Sequence, residues 1–202
     1  YALALAAAAP LCALSRAPLP PMLAHLAVGA LSAFVYTGGP GLKYKALGDV
    51  LISGTFGPLL VSFAYLVQAG RSGWGALLAS LPLTAHIEAI LHANNARDVD
   101  EDRANGVLTV AGMLGRRASF ALYALLVLAP FGGSLAQAWR RSLLSALPLL
   151  AAPVGARLVR DFRHGRMVDL PKRTAKFQFL FGILLVASVL VPSPSLRALL
   201  VR

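Results

Sequence analysis

The chain has 202 residues, of which 57% are hydrophobic and 13% are charged, and its mean hydropathy is +0.69. This composition leaves too little polar surface to coat a water-soluble globule of that length. The formal net charge is +11, yet no basic patch interleaved with aromatic side chains occurs in a soluble segment, which argues against a nucleic-acid-binding module. We therefore expect an integral, multi-pass membrane protein that contacts membrane lipid and no nucleic acid.

Seven apolar segments follow one another along the chain. Six are long enough to span a bilayer as helices, and each is bounded by charge, Gly or Pro. The first segment is short for a span, and we interpret it as the end of a helix that begins upstream of Tyr1. We predict an all-α fold, a polytopic bundle of membrane helices. The predicted helices cover about residues 1–14, 18–36, 46–68, 73–91, 118–137, 143–159 and 177–196.

The loops between these helices differ in their basic residues. Taking alternate loops, one side of the membrane holds thirteen of the 19 Lys and Arg residues. Positive charge is retained on the cytosolic side, so we predict that these loops face the cytosol. All 8 acidic residues also lie in or next to them. The thirteen are Lys43, Lys45, Arg97, Arg103, Arg116, Arg117, Arg157, Arg160, Arg163, Arg166, Lys172, Arg173 and Lys176.

The first cytosolic loop, residues 36–45, contains three glycines followed by Lys43 and Lys45. Glycine lets the backbone approach an anion closely, and the lysines add positive charge. The loop is therefore a candidate phosphate-binding element. A simple interhelical turn explains the same residues, since Gly and Pro punctuate loops in general.

The second cytosolic loop concentrates negative charge, with four of the 8 acidic residues between positions 98 and 102. Asn94, Asp98 and Asp102 recur every four residues. On one continuous helix they would line one face, each rising roughly 6 Å and turning about 40° from the last. Oxygen ligands completed by water and phosphate are typical of Mg²⁺ sites. The alternative is a solvated acidic face or the first turn of a helix.

The third cytosolic loop, residues 157–176, is strongly basic, and positive-inside anchoring is one explanation for it. The three loops follow alternate helices, so they could converge over one end of the bundle. Carboxylates, cations and Mg²⁺ together would form a clamp that holds a diphosphate and stabilises it as a leaving group. The apolar bundle would take the hydrocarbon tail of such a substrate.

Several separated motifs resemble the UbiA superfamily of intramembrane prenyltransferases. The segment from Glu88 to Asp98, continuing through Asp102-Arg103 to Thr109, is similar to the second aspartate-rich motif of that family. Further segments resemble its menaquinone-forming branch and, at residues 170–176, the animal member of that branch. The branch-like segments are residues 36–39, 43–44, 46–49 and 55–58.

The resemblance implies a UbiA-type fold, in which nine transmembrane helices surround a cavity. Residues 1–202 would form about seven of these nine helices. It implies Mg²⁺-dependent transfer of a polyprenyl group, geranylgeranyl in the animal branch, from an isoprenyl diphosphate to a naphthoquinone, giving menaquinone-4 (vitamin K2). The family's first aspartate-rich motif is expected upstream of Tyr1, so we expect little activity from this chain alone. The implied location is the endoplasmic reticulum or Golgi membrane, with the metal site facing the cytosol, and HMG-CoA reductase is an implied partner.

The same resemblance implies roles for individual residues. Asp98 and Asp102 would be the catalytic Mg²⁺ ligands, and Asn94 would support them. The base that removes the ring proton is not identified. The implied substrate contacts are Lys43, Arg97, Arg103 and Tyr36.

Two other classes of function are alternatives to prenyl transfer. A transporter would place charged residues near the membrane midplane, whereas here the acids gather at one face. A non-catalytic isoprenoid-binding scaffold, or a regulator of a sterol-pathway enzyme, would retain the same motifs. Glu88 and His92 lie one helical turn apart, so they are interpreted as a structural hydrogen bond or as catalytic groups. His25 and His86 are expected to be packing or interfacial residues.

Overall fold

The computed structural model describes residues 1–140 and 142–190, and nearly all of these are helical. No β-strand occurs among the residues described, and the one isolated bridge there pairs Lys45 with Leu108. The all-α prediction is confirmed. The nine α-helical segments are α1 Ala2–Leu14, α2 Leu19–Thr37, α3 Gly48–Gly54, α4 Leu60–Ala69, α5 Trp74–Arg97, α6 Val99–Ala104, α7 Val110–Arg140, α8 Ala152–Arg163 and α9 Leu170–Leu190. α7 is kinked at Gly115, whose φ of 68° and ψ of 173° are not helical.

Three shorter helical segments complete the chain path. A 3₁₀ turn covers Leu42–Tyr44, and a longer 3₁₀ helix covers Leu143–Ala151. A π-helical turn, Thr55–Leu59, joins α3 to α4 and contains Pro58. Proline has no N–H to donate within a helix, and a π-bulge absorbs the mismatch without ending the helix.

Six helical stretches are long and apolar enough to cross a membrane, which confirms the predicted number of spans among the described residues. The ends of several spans differ from the prediction because helices continue past their apolar portion. The 73–91 span reaches Arg97, and the last span begins at Leu170 instead of residue 177. Residues 191–196 of that predicted span lie outside the described part of the chain. The six stretches are Leu19–Thr37, Gly48–Ala69, Trp74–Arg97, Val110–Arg140, Leu143–Arg163 and Leu170–Leu190.

The described chain divides into two compact units. Unit 1 comprises Tyr1–Thr84 and Val99–Met113, and unit 2 comprises Ala85–Asp98 and the residues from Leu114 onward. In unit 1, Gly57 of the π turn packs directly on Thr84 of α5, where an added Cβ would lie 2.8 Å from the Cβ of Thr84. The absence of a side chain at this position therefore lets the two helices approach closely.

The core of unit 2 is aromatic. Tyr123 stacks on Phe162 with ring centroids 4.5 Å apart, and Phe181 packs edge-on against Phe131 at 5.5 Å. These rings come from α7, α8 and α9, so they hold the three helices together. Lipid-facing surface is provided elsewhere by exposed apolar side chains such as Trp139, which is 92% exposed near the end of a span.

Candidate functional site

The last turn of α5 carries the first part of the candidate site, within unit 2. The Nε of Arg97 lies 2.6 Å from Oδ1 of Asp98, and its Nη2 lies 2.7 Å from Oδ2. The same Nη2 donates to Oδ1 of Asn94 at 2.9 Å. One guanidinium therefore contacts every side-chain oxygen of Asn94 and Asp98, in the bidentate geometry that arginine forms with carboxylates.

The helix that carries these residues is not continuous, contrary to the prediction. α5 ends at Arg97, the chain bends at Asp98, and α6 begins at Val99. Asp102 consequently belongs to a separate six-residue helix. The prediction that Asn94, Asp98 and Asp102 line one face of a single helix is wrong, because the backbone leaves helical geometry at the middle residue.

The oxygens of Asn94 and Asp98 suit a hard divalent cation. They belong to an amide and a carboxylate, the ligand types that Mg²⁺ takes in proteins. Both side chains already converge on one cation, the guanidinium of Arg97. The Arg97 and Asp98 side chains are 35% and 29% exposed, so phosphate and water could reach the pair. The donor set in this part of the site therefore fits the Mg²⁺ that the sequence resemblance implies.

α6, in unit 1, carries Asp102 and Arg103 and is closed by a glycine cap. Gly106 adopts a φ of 70°, a left-handed conformation that suits glycine. The N–H of Val107 donates to the carbonyl of Asp102 at 2.8 Å, and the N–H of Gly106 donates to that of Arg103 at 3.2 Å. This pair of bonds is a Schellman motif, which fixes where α6 stops.

The same part of unit 1 contains the first loop. The N–H of Ala46 donates to the carbonyl of Leu108 at 2.7 Å, and the N–H of Leu108 donates to the carbonyl of Tyr44 at 3.1 Å. Two backbone hydrogen bonds thus tie the glycine-rich loop to the segment that follows the cap of α6. The loop with Lys43 and the helix with Asp102 are held in one unit by these bonds.

The shape of the first loop depends on small residues. Gly41 has a φ of 58°, and Ala46 has a φ of 57°, which is strained for a residue with a side chain. A Cβ on Gly48 would meet the Cα of Lys43 at 3.0 Å and the ring of Tyr36 at 3.4 Å. The backbone at Lys43 therefore packs against α3 beside Tyr36.

The ammonium group of Lys43 lies over the ring of Tyr44, 4.7 Å from its centroid. This cation–π contact places the charge at the loop without neutralising it. Of the predicted substrate contacts, the structure thus brings Tyr36 and Lys43 together, and it places Arg97 on Asn94 and Asp98. The functional roles of these residues remain predictions.

The third loop is more structured than its sequence suggested. Residues 170–176 form the first turns of α9, and Arg173 is ion-paired with the buried carboxylate of Asp161. Arg166 also binds Asp161, its Nε lying 2.8 Å from Oδ1. At least two of the basic residues therefore serve internal ion pairs, in addition to any topological role.

Two histidines, His86 and His92, are fully buried in unit 2. His86 is fully buried against Phe177 and Phe181, with ring centroids 4.8 Å and 4.5 Å away. This observation agrees with the packing role expected of His86. The Nε2 of His92 lies 2.8 Å from Oγ of Ser119. Ser119 had no distinguishing signal in the sequence, because its pairing with His92 depends on how α5 and α7 pack.

Unit 1 also contains an apolar cavity of about 560 Å³. Leu42 of the first loop and Pro58 of the π turn are part of its wall, together with Leu51 of α3. Its few polar groups are the hydroxyls of Ser32, Thr55 and Ser62. Such a cavity suits a hydrocarbon chain whose polar end lies near the first loop.

The sequence matches known proteins over most of its length. The model of the UbiA prenyltransferase family matches residues 1–191. The chain is 44% identical over 182 residues to UbiA prenyltransferase domain-containing protein 1 of Danio rerio, and 43% identical over 182 residues to that of Homo sapiens. Both alignments cover 88% of this chain and 54% of the relative.

A third animal relative gives a similar result. The homolog of the same protein in Drosophila melanogaster is 42% identical over 174 residues, which cover 84% of this chain and 48% of that protein. The chain spans about half the length of the curated relatives it matches.

Proposed function

The chain belongs to the UbiA prenyltransferase family, and on that premise we propose that the protein transfers a polyprenyl group from its diphosphate to the ring of a naphthoquinone. The observation that carries the proposal is the convergence of the Asn94 and Asp98 oxygens on one cation. An amide and a carboxylate directed at one point are suited to hold Mg²⁺ on a diphosphate.

Asp98 and Asp102 act as Mg²⁺ ligands in this proposal, with Asn94 as a supporting ligand. When bound, Mg²⁺ neutralises charge on the diphosphate and makes it a better leaving group. Lys43, Arg97 and Arg103 are the proposed cationic contacts of the diphosphate, and Tyr36 is a proposed further contact. They would stabilise the negative charge that develops as the leaving group departs.

The reaction exchanges one bond at the prenyl carbon for another. The C–O bond to the diphosphate breaks, a C–C bond to the naphthoquinone nucleus forms, and the displaced ring proton leaves to a base. The reduced acceptor, a naphthoquinol such as menadiol, supplies the electron pair. A water-poor setting protects the allylic cation from hydrolysis.

The apolar cavity of unit 1 supports a long hydrocarbon tail on the donor. It has a volume of about 560 Å³, and it is bounded by Leu42 next to Lys43. Each buried CH₂ contributes about 0.8 kcal/mol of binding free energy. A tail of many such groups would therefore anchor the donor while its diphosphate lies at the loops.

The finer assignments of donor, acceptor and product rest on a resemblance to the menaquinone-forming branch. The segments that carry this resemblance are residues 36–39, 43–44, 46–49, 55–58 and 170–176. The assignments are geranylgeranyl diphosphate as donor, menadiol as acceptor and menaquinone-4 as product. On the same resemblance we propose that the protein lies in the endoplasmic reticulum or Golgi membrane, with its metal site towards the cytosol, and that HMG-CoA reductase is a partner.

A substrate panel tests this proposal. The full-length protein, purified in detergent, is incubated with menadiol and with geranylgeranyl, farnesyl or geranyl diphosphate, with Mg²⁺ or with EDTA. We expect prenylated product only with Mg²⁺, and the fastest transfer from the geranylgeranyl donor. Binding of the donor without product under every condition would instead favour a non-catalytic isoprenoid-binding scaffold.

A further inference from the structure

One cation already occupies the proposed metal ligands of unit 2. The guanidinium of Arg97 bonds to both oxygens of Asp98, at 2.6 and 2.7 Å, and to the amide oxygen of Asn94 at 2.9 Å. These are the oxygens that Mg²⁺ would require from the two side chains. The guanidinium of Arg97 therefore lies at the position to which these oxygens would attract a metal ion.

Arg97 and a metal ion compete for these oxygens. A bidentate guanidinium engages both oxygens of a carboxylate and fixes the plane of the group. A divalent cation brought to the same oxygens would also be repelled by the guanidinium charge a few ångströms away. The metal can bind Asp98 closely only if the Arg97 side chain moves.

We propose that Arg97 is a place-holding cation that makes metal binding depend on the diphosphate. This inference rests on the proposed function and concerns how the same site is filled. Without substrate, Arg97 holds Asn94 and Asp98 in position and blocks Mg²⁺. With the diphosphate present, Asn94 and Asp98 would hold Mg²⁺ through the oxygens that Arg97 releases, and the guanidinium of Arg97 would bind the diphosphate instead.

The exchange gives positive coupling between metal and diphosphate. A metal ion that binds alone must displace the guanidinium of Arg97 from Asp98 and supplies no anion in exchange. A metal ion that binds together with the diphosphate supplies that anion. The two ligands thus strengthen each other's binding. The Arg97 and Asp98 side chains are 35% and 29% exposed, so we expect the block to weaken binding of metal alone by only about fivefold.

Binding of Mn²⁺ alone, followed by electron paramagnetic resonance on the full-length protein without diphosphate, tests the inference. Arg97→Gln should bind Mn²⁺ about fivefold more tightly than wild type. Arg97→Lys should be intermediate, since lysine keeps the charge but lacks the planar fork. Arg160→Gln is the matched control, because Arg160 is exposed on α8 and forms no ion pair with any described residue. It should bind Mn²⁺ like wild type.

Equal or weaker Mn²⁺ binding by a folded Arg97→Gln protein would overturn the inference and make Arg97 a residue that only orients the ligands. Asp98→Asn separates this failure from failure of the proposed function. If Asp98→Asn removes no Mn²⁺ binding, the proposed metal site itself is wrong. If Asp98→Asn weakens binding and Arg97→Gln does not strengthen it, only the place-holding role is wrong.

Discussion

The hydroxyl group of Tyr123 lies 2.7 Å from Oγ1 of Thr174, and both side chains are fully buried. Thr174 Oγ1 donates to the carbonyl of Leu170 at 2.8 Å, so the tyrosine hydroxyl is the donor in the pair. This bond joins α7 to the first turns of α9. The basic motif at residues 170–176 is thereby held against the aromatic core of unit 2.

Tyr123→Phe and Thr174→Val should therefore differ in their effect on stability. Tyr123→Phe removes one donor and leaves the bond from Thr174 to Leu170 intact, which should cost about 0.6–1 kcal/mol. Thr174→Val leaves the buried tyrosine hydroxyl without its acceptor and should cost about 1–3 kcal/mol. Thermal unfolding in detergent measures both, and a larger loss in Tyr123→Phe than in Thr174→Val would contradict the donor assignment.

The ion pairs of Asp161 give a second prediction. Asp161 is buried and binds both Arg166 and Arg173. Asp161→Asn keeps the shape but removes the charge, and we expect it to destabilise unit 2 by about 1–3 kcal/mol. Asp169→Asn is the matched control, since Asp169 is exposed and forms no salt bridge with the described residues. Equal melting temperatures for the two variants would show that the network adds no stability.

The close approach of Gly57 to α5 gives a third prediction. An added Cβ there would lie 2.8 Å from the Cβ and 2.9 Å from the Cγ2 of Thr84. Gly57→Ala must therefore displace α5 or the π turn, and we expect a loss of about 1–3 kcal/mol of stability. Gly54→Ala, where nothing lies within 4 Å of the new Cβ, should be neutral or slightly stabilising. Equal melting temperatures for Gly57→Ala and Gly54→Ala would contradict the close packing of Gly57 on Thr84.

The membrane spans could be predicted from the sequence because length and hydropathy alone define them. Their ends could not, since helices continue past the apolar region into charged residues. Lys172 and Lys176 were predicted to lie in a basic loop, yet they lie in α9. Pro171 is compatible with this helix because it lies in the first turn, where the fixed φ of proline is tolerated.

The residues of the candidate site remain a prediction, whereas the geometry predicted for three of them was wrong. The spacing of Asn94, Asp98 and Asp102 suggested one helix face, and a bend at Asp98 breaks it. The sequence did carry a signal for this bend, because Asp98 directly precedes α6 and three acidic residues fall in the first turn of that helix, which is the helix-start alternative. The bonds of Arg97 to Asp98 and Asn94 were also missed, since a basic residue in a proposed phosphate site suggests a substrate contact before an internal one.

The most direct test of the proposed function compares three carboxylates of the acidic segment. Prenyl transfer by the full-length protein is measured with Asp98→Asn, Asp102→Asn and Asp100→Asn, where Asp100 has no proposed role in the site. We expect Asp98→Asn and Asp102→Asn each to lose about 10²-fold or more in Mg²⁺-dependent transfer, and Asp100→Asn to keep wild-type turnover. Wild-type transfer by both Asp98→Asn and Asp102→Asn would contradict the metal-assisted chemistry proposed for this protein.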